Sequence, residues 1–275
     1  MLMERVFQCV DDIYDDIMKE GSQDLKQKIQ ELENVVGTNH PEILKKGIML
    51  SMTFCLNQLQ FHDELFEALL IDNIDYMIEN IPDMKKSIQL QVSLRGLEQH
   101  VHRQIVLPYY MTLADMAYAI LAIFQADGSH LFSIECQQGR FGCEQCDEEM
   151  IDDYAANVFL NDLQLKKGSQ LSLWYDFGDD YFFDIQVIHI QTESDLNEIG
   201  DGQILSGQGY GIWEDEHALL EMYYKDYDEF IEKIHDFGLD EDDFIFDDFD
   251  VDVANEMFLE DFEFLRRNYE DSESI

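Results

Sequence analysis

The pattern of apolar residues changes its period at Ile88, and this change constrains the fold more than any other feature of the chain. From Ile88 to Leu94, apolar residues alternate with polar ones such as Gln89 and Gln91. A period of two residues is typical of a strand with one buried face. Before Ile88 the apolar residues recur at helical spacing instead. The sequence therefore combines a helical part with a sheet, and we predict an α+β fold.

Residues 1–86 have the pattern of a helical N-terminal region. Val6, Val10 and Ile13 are spaced to share one face of a helix, with aspartates on the opposite face. A second apolar stripe within 25–36 is followed by a glycine, which often ends a helix. We therefore predict helices across this region and a domain boundary at its end.

Residues 87–224 have the pattern of a sheet with one packed helix. Strands are predicted at 101–107 and 131–136 because apolar residues dominate both segments. Between them, Thr112 and Asp115 have the spacing of a capping box, in which each side chain accepts a free backbone N–H at the start of a helix. The helix is expected to end near an Asp-Gly pair that follows it.

A hairpin is predicted in the second half of the same domain. Apolar residues alternate within 171–177 and again within 183–187, and Gly178, Asp179 and Asp180 lie between the two runs. Glycine and aspartate are typical turn residues, so this Gly-Asp-Asp sequence, the GDD turn, should reverse the chain. The expected architecture is a mixed or antiparallel sheet with one packed helix, similar to a β-grasp core.

Acidic residues outnumber basic ones by 60 to 17, which gives a net charge of −43. The excess is uneven, since residues 213–275 contain 4 basic and 24 acidic residues, a net charge of −20. Nucleic acids and anionic membranes attract Lys and Arg, so direct binding to either is not expected. The functional interpretation is a basic protein partner, and the alternative is general solubility or adaptation to a salty or acid-tolerant cell.

Residues 225–275 are predicted to form an acidic helical segment. Within it, the run 240–252 interleaves acidic residues with Phe244, Phe246 and Phe249. Such a pattern fits a solvated linker whose rings dock on the body of the protein. It also fits a segment that binds a basic, apolar groove of a partner, and weak calcium binding is a third alternative.

The composition favours a cytoplasmic protein. No apolar run approaches the roughly 18 residues of a membrane span, and aspartates interrupt the first residues where a secretory signal would need an apolar run. The five cysteines are an odd number scattered over a long chain, which favours reduced thiols over a disulfide framework.

Three of the cysteines lie near each other in the sequence, and zinc binding is one interpretation of them. Cys136, Cys143 and Cys146 follow His130, and the last two cysteines form a C-x-x-C pair. Zinc prefers thiolate and imidazole ligands in tetrahedral geometry, so these four residues are the metal candidates. Free thiols and a redox pair are the alternatives, and no other cofactor is expected.

Five segments carry a resemblance to a known family. They are IQLQVSLRGLEQHVHRQIVLP (88–108), DGSHLFSI (127–134), WYDFGDDYFFDIQV (174–187), GQGYG (207–211) and FDVDVANEMF (249–258). In order and spacing they resemble the plasmid pRiA4b ORF-3-like family, whose members are described as passenger proteins of insertion elements. The family has no established enzymatic activity, so the resemblance implies a fold and a link to mobile elements more than a function.

The sequence departs from the family at polar positions. Histidines that the family has in its third strand and after the GDD turn are Phe132 and Phe183 here, and its Pro-Glu-Asp stretch corresponds to 203–205. His130 and Asp179 remain, and two such residues alone are too few for metal binding or acid–base work. We hypothesise that a polar pocket of the family has become packed core in this chain.

Two functions remain open. No Ser, Cys or Lys nucleophile has a matched base, and Asp-Phe-Gly at 176–178 lacks the other motifs of a kinase, so we interpret it as part of a turn. The first function is a non-enzymatic interaction or scaffold protein with its helical start and acidic end as recognition surfaces. The alternative is an enzyme or accessory in nucleic-acid processing of mobile elements, with a site formed by Arg103, His130, Asp179 and Asp180.

Overall fold

The structure is a computed structural model, and the chain in it divides into two compact units, Met1–Met84 and Lys85–Ile275. The described residues are 19, 22–36, 71–72, 74–75, 86–191, 202–240, 244 and 249–270. The apolar stripe predicted around Val6 and Val10 lies outside these residues, as does most of the acidic run 240–252. The division into three regions at 86 and 224 stays a prediction.

In the first unit, helix α1 spans Gln23–Val36 and confirms the second predicted stripe. Leu25, Ile29 and Leu32 are buried and lie three or four residues apart, so they share one face of the helix. Beside this face, Lys28 pairs with Asp75 at 2.7 Å.

The second unit contains a mixed sheet of eight strands, which confirms the α+β fold. The strands are β1 Ser87–Leu94, β2 His102–Pro108, β3 Phe132–Cys136, β4 Gly139–Gly142, β5 Asp153–Tyr154, β6 Gln170–Tyr175, β7 Tyr181–Gln191 and β8 Gln203–Gln208. Their spatial order is β5-β4-β3-β6-β7-β1-β2-β8, and every pair is antiparallel except β4 with β5. The likeness to a β-grasp core stays a prediction.

Strand β1 lies near the middle of the sheet, between β7 and β2. Ile88, Leu90, Val92 and Leu94 are fully buried, and the polar residues that alternate with them, Gln89, Gln91 and Ser93, are partly exposed. This is the alternation that the sequence predicted, and it directs one face of the strand into the core.

Helix α2, Leu113–Ile123, is the helix packed on the sheet. Thr112 Oγ1 accepts a hydrogen bond from Asp115 N at 3.0 Å, and Asp115 Oδ2 accepts one from Thr112 N at 3.1 Å. The predicted capping box is therefore confirmed. Nearly the whole helix is buried because apolar residues surround its axis, so other elements must cover it on more than one side.

The C-terminal part of the second unit is helical. Helices α3 His217–Lys225, α4 Tyr227–Asp236 and α5 Val251–Glu270 follow β8. Four apolar side chains of α5 belong to the main core, namely Phe258, Phe262, Leu265 and Tyr269. Within the part of the chain that the structure describes, no helix has the length and apolar character needed to cross a membrane.

Candidate metal centre

His130 and Asp176 lie side by side because β3 and β6 are antiparallel neighbours. The register pairs Phe132 with Tyr175, and Asp176 N donates a hydrogen bond to Leu131 O at 3.1 Å. In an antiparallel pair, the residues that precede one strand meet the residues that follow the other. The loop before β3 and the turn after β6 therefore share one edge of the sheet.

The segment before helix α3 brings two more carboxylates to this edge. Glu214 Oε1 accepts a hydrogen bond from Asp127 N at 2.7 Å and another from the Tyr175 hydroxyl at 3.0 Å. These bonds tie Glu214 to the loop before β3 and to the end of β6. Asp215 follows with a left-handed backbone, φ 60°, which is uncommon for a residue other than glycine.

Three carboxylates surround the ring of His130. The His130 Nδ1 atom lies 3.5 Å from Asp176 Oδ1, and Nε2 lies 3.3 Å from Asp215 Oδ1 and 3.8 Å from Glu214 Oε2. His130, Asp176 and Asp215 each offer one ligand atom, and these three atoms all lie within 4.8 Å of one another. Among the described residues, this is the one group of three His, Cys, Asp or Glu side chains so placed. We call the four residues the His130 cluster.

Asp176 is held rigidly at the base of the cluster. It is only 5 % exposed, and its Oδ1 atom accepts hydrogen bonds from Gly178 N at 3.0 Å and Asp179 N at 3.3 Å. Its own carbonyl accepts from Asp180 N at 2.7 Å, which closes the turn between β6 and β7. These bonds fix the backbone of Asp176 in a left-handed conformation with φ 53°. The second oxygen of its carboxylate therefore points in a defined direction.

Three buried polar atoms of the cluster have no hydrogen-bond partner in the described part of the chain: Asp176 Oδ2, Glu214 Oε2 and His130 Nε2. Most buried polar atoms in proteins are paired, so three such atoms in one place call for a ligand. Burial also raises the pKa of Glu214, with the nearby charge of Asp127 adding to the effect. A bound cation would offset both costs because it favours ionised carboxylates.

Asp179 and His217 form a second contact beside the cluster. Asp179 Oδ2 accepts a hydrogen bond from His217 N at 3.0 Å, and His217 Nδ1 lies 2.8 Å from the Asp179 carbonyl oxygen. The ring of His217 packs on Tyr181 with 4.4 Å between ring centres. Asp179 therefore fastens the GDD turn to the start of helix α3.

Comparison with known proteins gives a family. The family model described as plasmid pRiA4b ORF-3-like protein matches residues 86–255. The chain belongs to this family. The crystal structure of MM3350, a protein of unknown function from Methanosarcina mazei Go1, is similar at 20 % identity and a TM-score of 0.46, over 62 % of this chain and 94 % of that chain. No curated protein matches.

The predicted site residue Arg103 has a structural position in this pRiA4b ORF-3-like chain. Its side chain is fully buried, and its guanidinium donates to main-chain carbonyl oxygens, including Ile123 O at 3.3 Å and Gly209 O at 2.8 Å. Burial lowers its pKa to about 10. The ring of Phe249 lies 3.8 Å from the guanidinium carbon. Because protein atoms enclose Arg103 on these sides, it does not face a substrate.

The glycine-rich segment at 207–211 wraps this arginine, since the carbonyl oxygens of Gln208, Gly209 and Tyr210 accept hydrogen bonds from its guanidinium. A Cβ at Gly207 would come within 2.6 Å of both Arg103 Cδ and the Phe249 ring. Gly209 has φ 76°, which favours glycine. Gly207, which belongs to strand β8, is therefore needed for close approach to Arg103, and Gly209 is needed for the left-handed backbone after the strand.

Phe132 and Phe183, where the resemblance places histidines of the family, are fully buried. The ring of Phe132 contacts Tyr269 edge-on at 5.0 Å, and that of Phe183 contacts Phe124 at 4.8 Å. Both positions are packed core, as hypothesised. The neighbouring edge of the sheet nevertheless stays polar, since the His130 cluster is built from other residues.

The cysteines predicted to bind zinc with His130 are not brought together. Cys143 and Cys146 lie close, with 3.4 Å between their sulfur atoms. Cys136 pairs with Gly139 at the turn of the β3–β4 hairpin, whereas Cys143 follows the far end of β4. At the rise of a strand this places them on the order of 10 Å apart, too far for one metal ion. His130 joins Asp176 instead.

Of the predicted site residues, only His130 belongs to the His130 cluster, and the sequence did not single out its partners Asp176, Glu214 and Asp215 as site residues. Asp180 is exposed and completes the turn with φ 60°. The acidic pair that contacts His130 is Glu214 and Asp215. The resemblance places the family's Pro-Glu-Asp stretch at 203–205 instead, and these residues belong to β8. Among 60 acidic residues, nothing in the sequence distinguishes this pair from the others.

Proposed function

We propose that the protein binds a divalent metal ion at the His130 cluster. The observation that carries the proposal is the buried carboxylate of Asp176, whose Oδ1 atom lies 3.5 Å from His130 Nδ1 and whose Oδ2 atom meets no hydrogen-bond partner among the described residues. A carboxylate oxygen left alone in the interior is costly unless a cation pairs with it.

The donor set indicates the class of metal. One imidazole nitrogen with two or three carboxylate oxygens suits Mn²⁺, Fe²⁺ or Zn²⁺, whereas Ca²⁺ and Mg²⁺ prefer oxygen ligands alone. His130, Asp176 and Asp215 would be ligands, and Glu214 would complete the set or accept a hydrogen bond from a metal-bound water.

Exposure increases across the cluster, from 6 % for the side chain of Asp176 to 76 % for that of Asp215. A metal held between them would keep one side toward solvent. Catalytic metal sites keep an open position of this kind, whereas structural sites are closed by protein ligands. This supports the second function that the sequence leaves open, a chemical site at the GDD turn, over a scaffold without chemistry. The link to mobile elements stays a prediction.

The test is calorimetric titration of metal-free protein with Mn²⁺ and Zn²⁺. A salt concentration of about 150 mM KCl screens the many exposed carboxylates, so only a built site should bind tightly. We expect one saturable site in the wild-type chain. Asp176→Asn should weaken binding by at least about tenfold. Loss of a residue that only holds a metal ligand in place already costs about this much affinity, and loss of the ligand itself should cost no less.

The matched control is Asp180→Asn in the same turn. The substitution removes one negative charge, as Asp176→Asn does, and asparagine tolerates the left-handed backbone of this position. Asp180 differs from Asp176 in lying outside the His130 cluster. Its affinity should stay within about twofold of wild type on the same scale. If both substitutions weakened binding equally, or if Mn²⁺ and Zn²⁺ bound no more tightly than Ca²⁺, the binding would be nonspecific and the proposal would be rejected.

A further inference from the structure

Helix α5 has two apolar faces, and within the part of the chain that the structure describes only one of them is buried. Phe258, Phe262 and Leu265 are buried in the core. On a neighbouring face, Met257 and Phe264 are exposed at 54 % and 48 %. Val253, one turn before Met257, is 52 % exposed. Residues four or seven apart share a face of a helix, so Val253, Met257 and Phe264 form an apolar stripe, with Asp261 on the same face.

This stripe forms one wall of a groove with a volume of about 990 Å³. The opposite wall is the C-terminal end of α2 and the residues after it, from Ala122 to Asp127. The groove runs beside α5 from Asp250 to Phe264, a distance of about 20 Å at the rise of a helix. It lies wholly within the second unit.

The rim of the groove is acidic. Asp127 and Asp250 are exposed beside it, and Asp261 is partly buried within its lining. Burial raises the pKa of Asp261, and the nearby charge of Glu260 adds to the effect. A cation placed over the groove would therefore relieve unfavourable charge at Asp261 as well as pair with the two exposed carboxylates.

We propose that this groove docks a basic amphipathic helix of a protein partner, independently of the metal centre. An apolar groove about four helical turns long fits such a helix through side chains spaced three and four residues apart. Lysines or arginines flanking the apolar side chains would lie over Asp127, Asp250 and Asp261.

A second copy of the chain is a poor occupant because of charge. Each chain has a net charge of −43, so two acidic rims would repel each other across a self-interface. The N-terminal residues 1–86 are also acidic, with 8 basic and 17 acidic residues. A basic partner is the occupant whose charge complements the rim.

The test uses a synthetic helical peptide of about 18 residues with leucines on one face and lysines elsewhere. A peptide of the same composition with scrambled order controls for charge. Binding to the full chain is measured by fluorescence anisotropy at about 150 mM KCl. We expect the amphipathic peptide to bind at least about tenfold more tightly than the scrambled one.

Two double variants with unchanged net charge locate the binding site. Met257→Gln with Phe264→Gln removes the apolar stripe and should weaken peptide binding at least about tenfold. The control, Leu239→Gln with Leu259→Gln, changes two exposed leucines outside the groove lining and should stay within about twofold. Thermal unfolding confirms that each variant is folded.

Several outcomes would overturn the proposal. Equal affinity for the two peptides, or equal weakening by the two double variants, would mean that net charge alone attracts the peptide. A wild-type dimer in light scattering that Met257→Gln with Phe264→Gln converts to a monomer would assign the groove to a second copy of the chain.

Discussion

At the scale of single residues, the guanidinium of Arg103 joins four parts of the second unit. It donates to the carbonyl oxygens of His102 at 2.9 Å and Tyr210 at 2.5 Å, and also to those of Ile123 and Gln208. A buried cation is costly, and these hydrogen bonds together with two aromatic rings replace the water that it loses.

We expect Arg103→Met to destabilise the second unit by about 3 kcal/mol or more, because it leaves several buried carbonyl oxygens without donors. The matched control is Arg95→Met. Arg95 pairs with Asp184 at 2.5 Å, but both side chains are nearly half exposed, so its loss should cost about 1 kcal/mol or less. Urea unfolding of both variants measures the difference. Similar losses would mean that Arg103 does not hold these segments together.

His130 and the GDD turn could be singled out from the sequence, whereas Glu214 and Asp215 could not. Their contact with His130 depends on the β3–β6 register and on hydrogen bonds from Asp127 and Tyr175, which are distant in the chain. With 60 acidic residues, spacing alone gives no reason to select one pair. A site assembled by tertiary contacts therefore needs the structure.

At the scale of elements, the central strands and helix α2 could be predicted because their patterns are local. Alternation identified β1, and the capping box located the start of α2. Strand β8 was missed, since its sequence combines a short apolar part with Gly207, which approaches Arg103. Its pairing with β2 is long-range and has a register shift between Gln104 and Ile105.

Helix α5 shows how an acidic segment can be part of the core. Its residues carry a strong negative charge, yet Phe262 is only 2 % exposed and stacks on Phe258 with 5.9 Å between ring centres. The hydroxyl of Tyr269 donates to His130 O, which ties the end of α5 to the loop that carries the His130 cluster.

We expect Phe262→Ala to destabilise the second unit by about 3–5 kcal/mol, the usual cost of removing a buried ring. Phe264→Ala is the matched control on the same helix, and it should cost about 0.5 kcal/mol because that ring is 48 % exposed. Thermal or urea unfolding gives both values. If the two substitutions cost the same, α5 does not pack in the core through the face described here.

At the scale of the whole molecule, charge opposes folding. A net charge of −43 in a chain of 275 residues brings like charges together whenever the chain is compact. Ion pairs offset little of this, since basic residues are few and pairs such as Lys225 with Glu221 are exposed. Apolar burial in the core must therefore outweigh a repulsion that depends on ionic strength.

We expect the melting temperature to rise as NaCl increases from about 20 mM to about 500 mM, because the Debye length falls from roughly 20 Å to about 4 Å over this range. A gain of about 1–2 kcal/mol would raise it by several degrees for a chain of this size. KCl should act equally, since screening depends on ionic strength rather than on the cation.

Mn²⁺ should raise the melting temperature further at concentrations too low to screen charges, and Asp176→Asn should abolish only the increase caused by Mn²⁺. A melting temperature that does not change with salt would mean that the acidic residues are too dispersed to oppose folding.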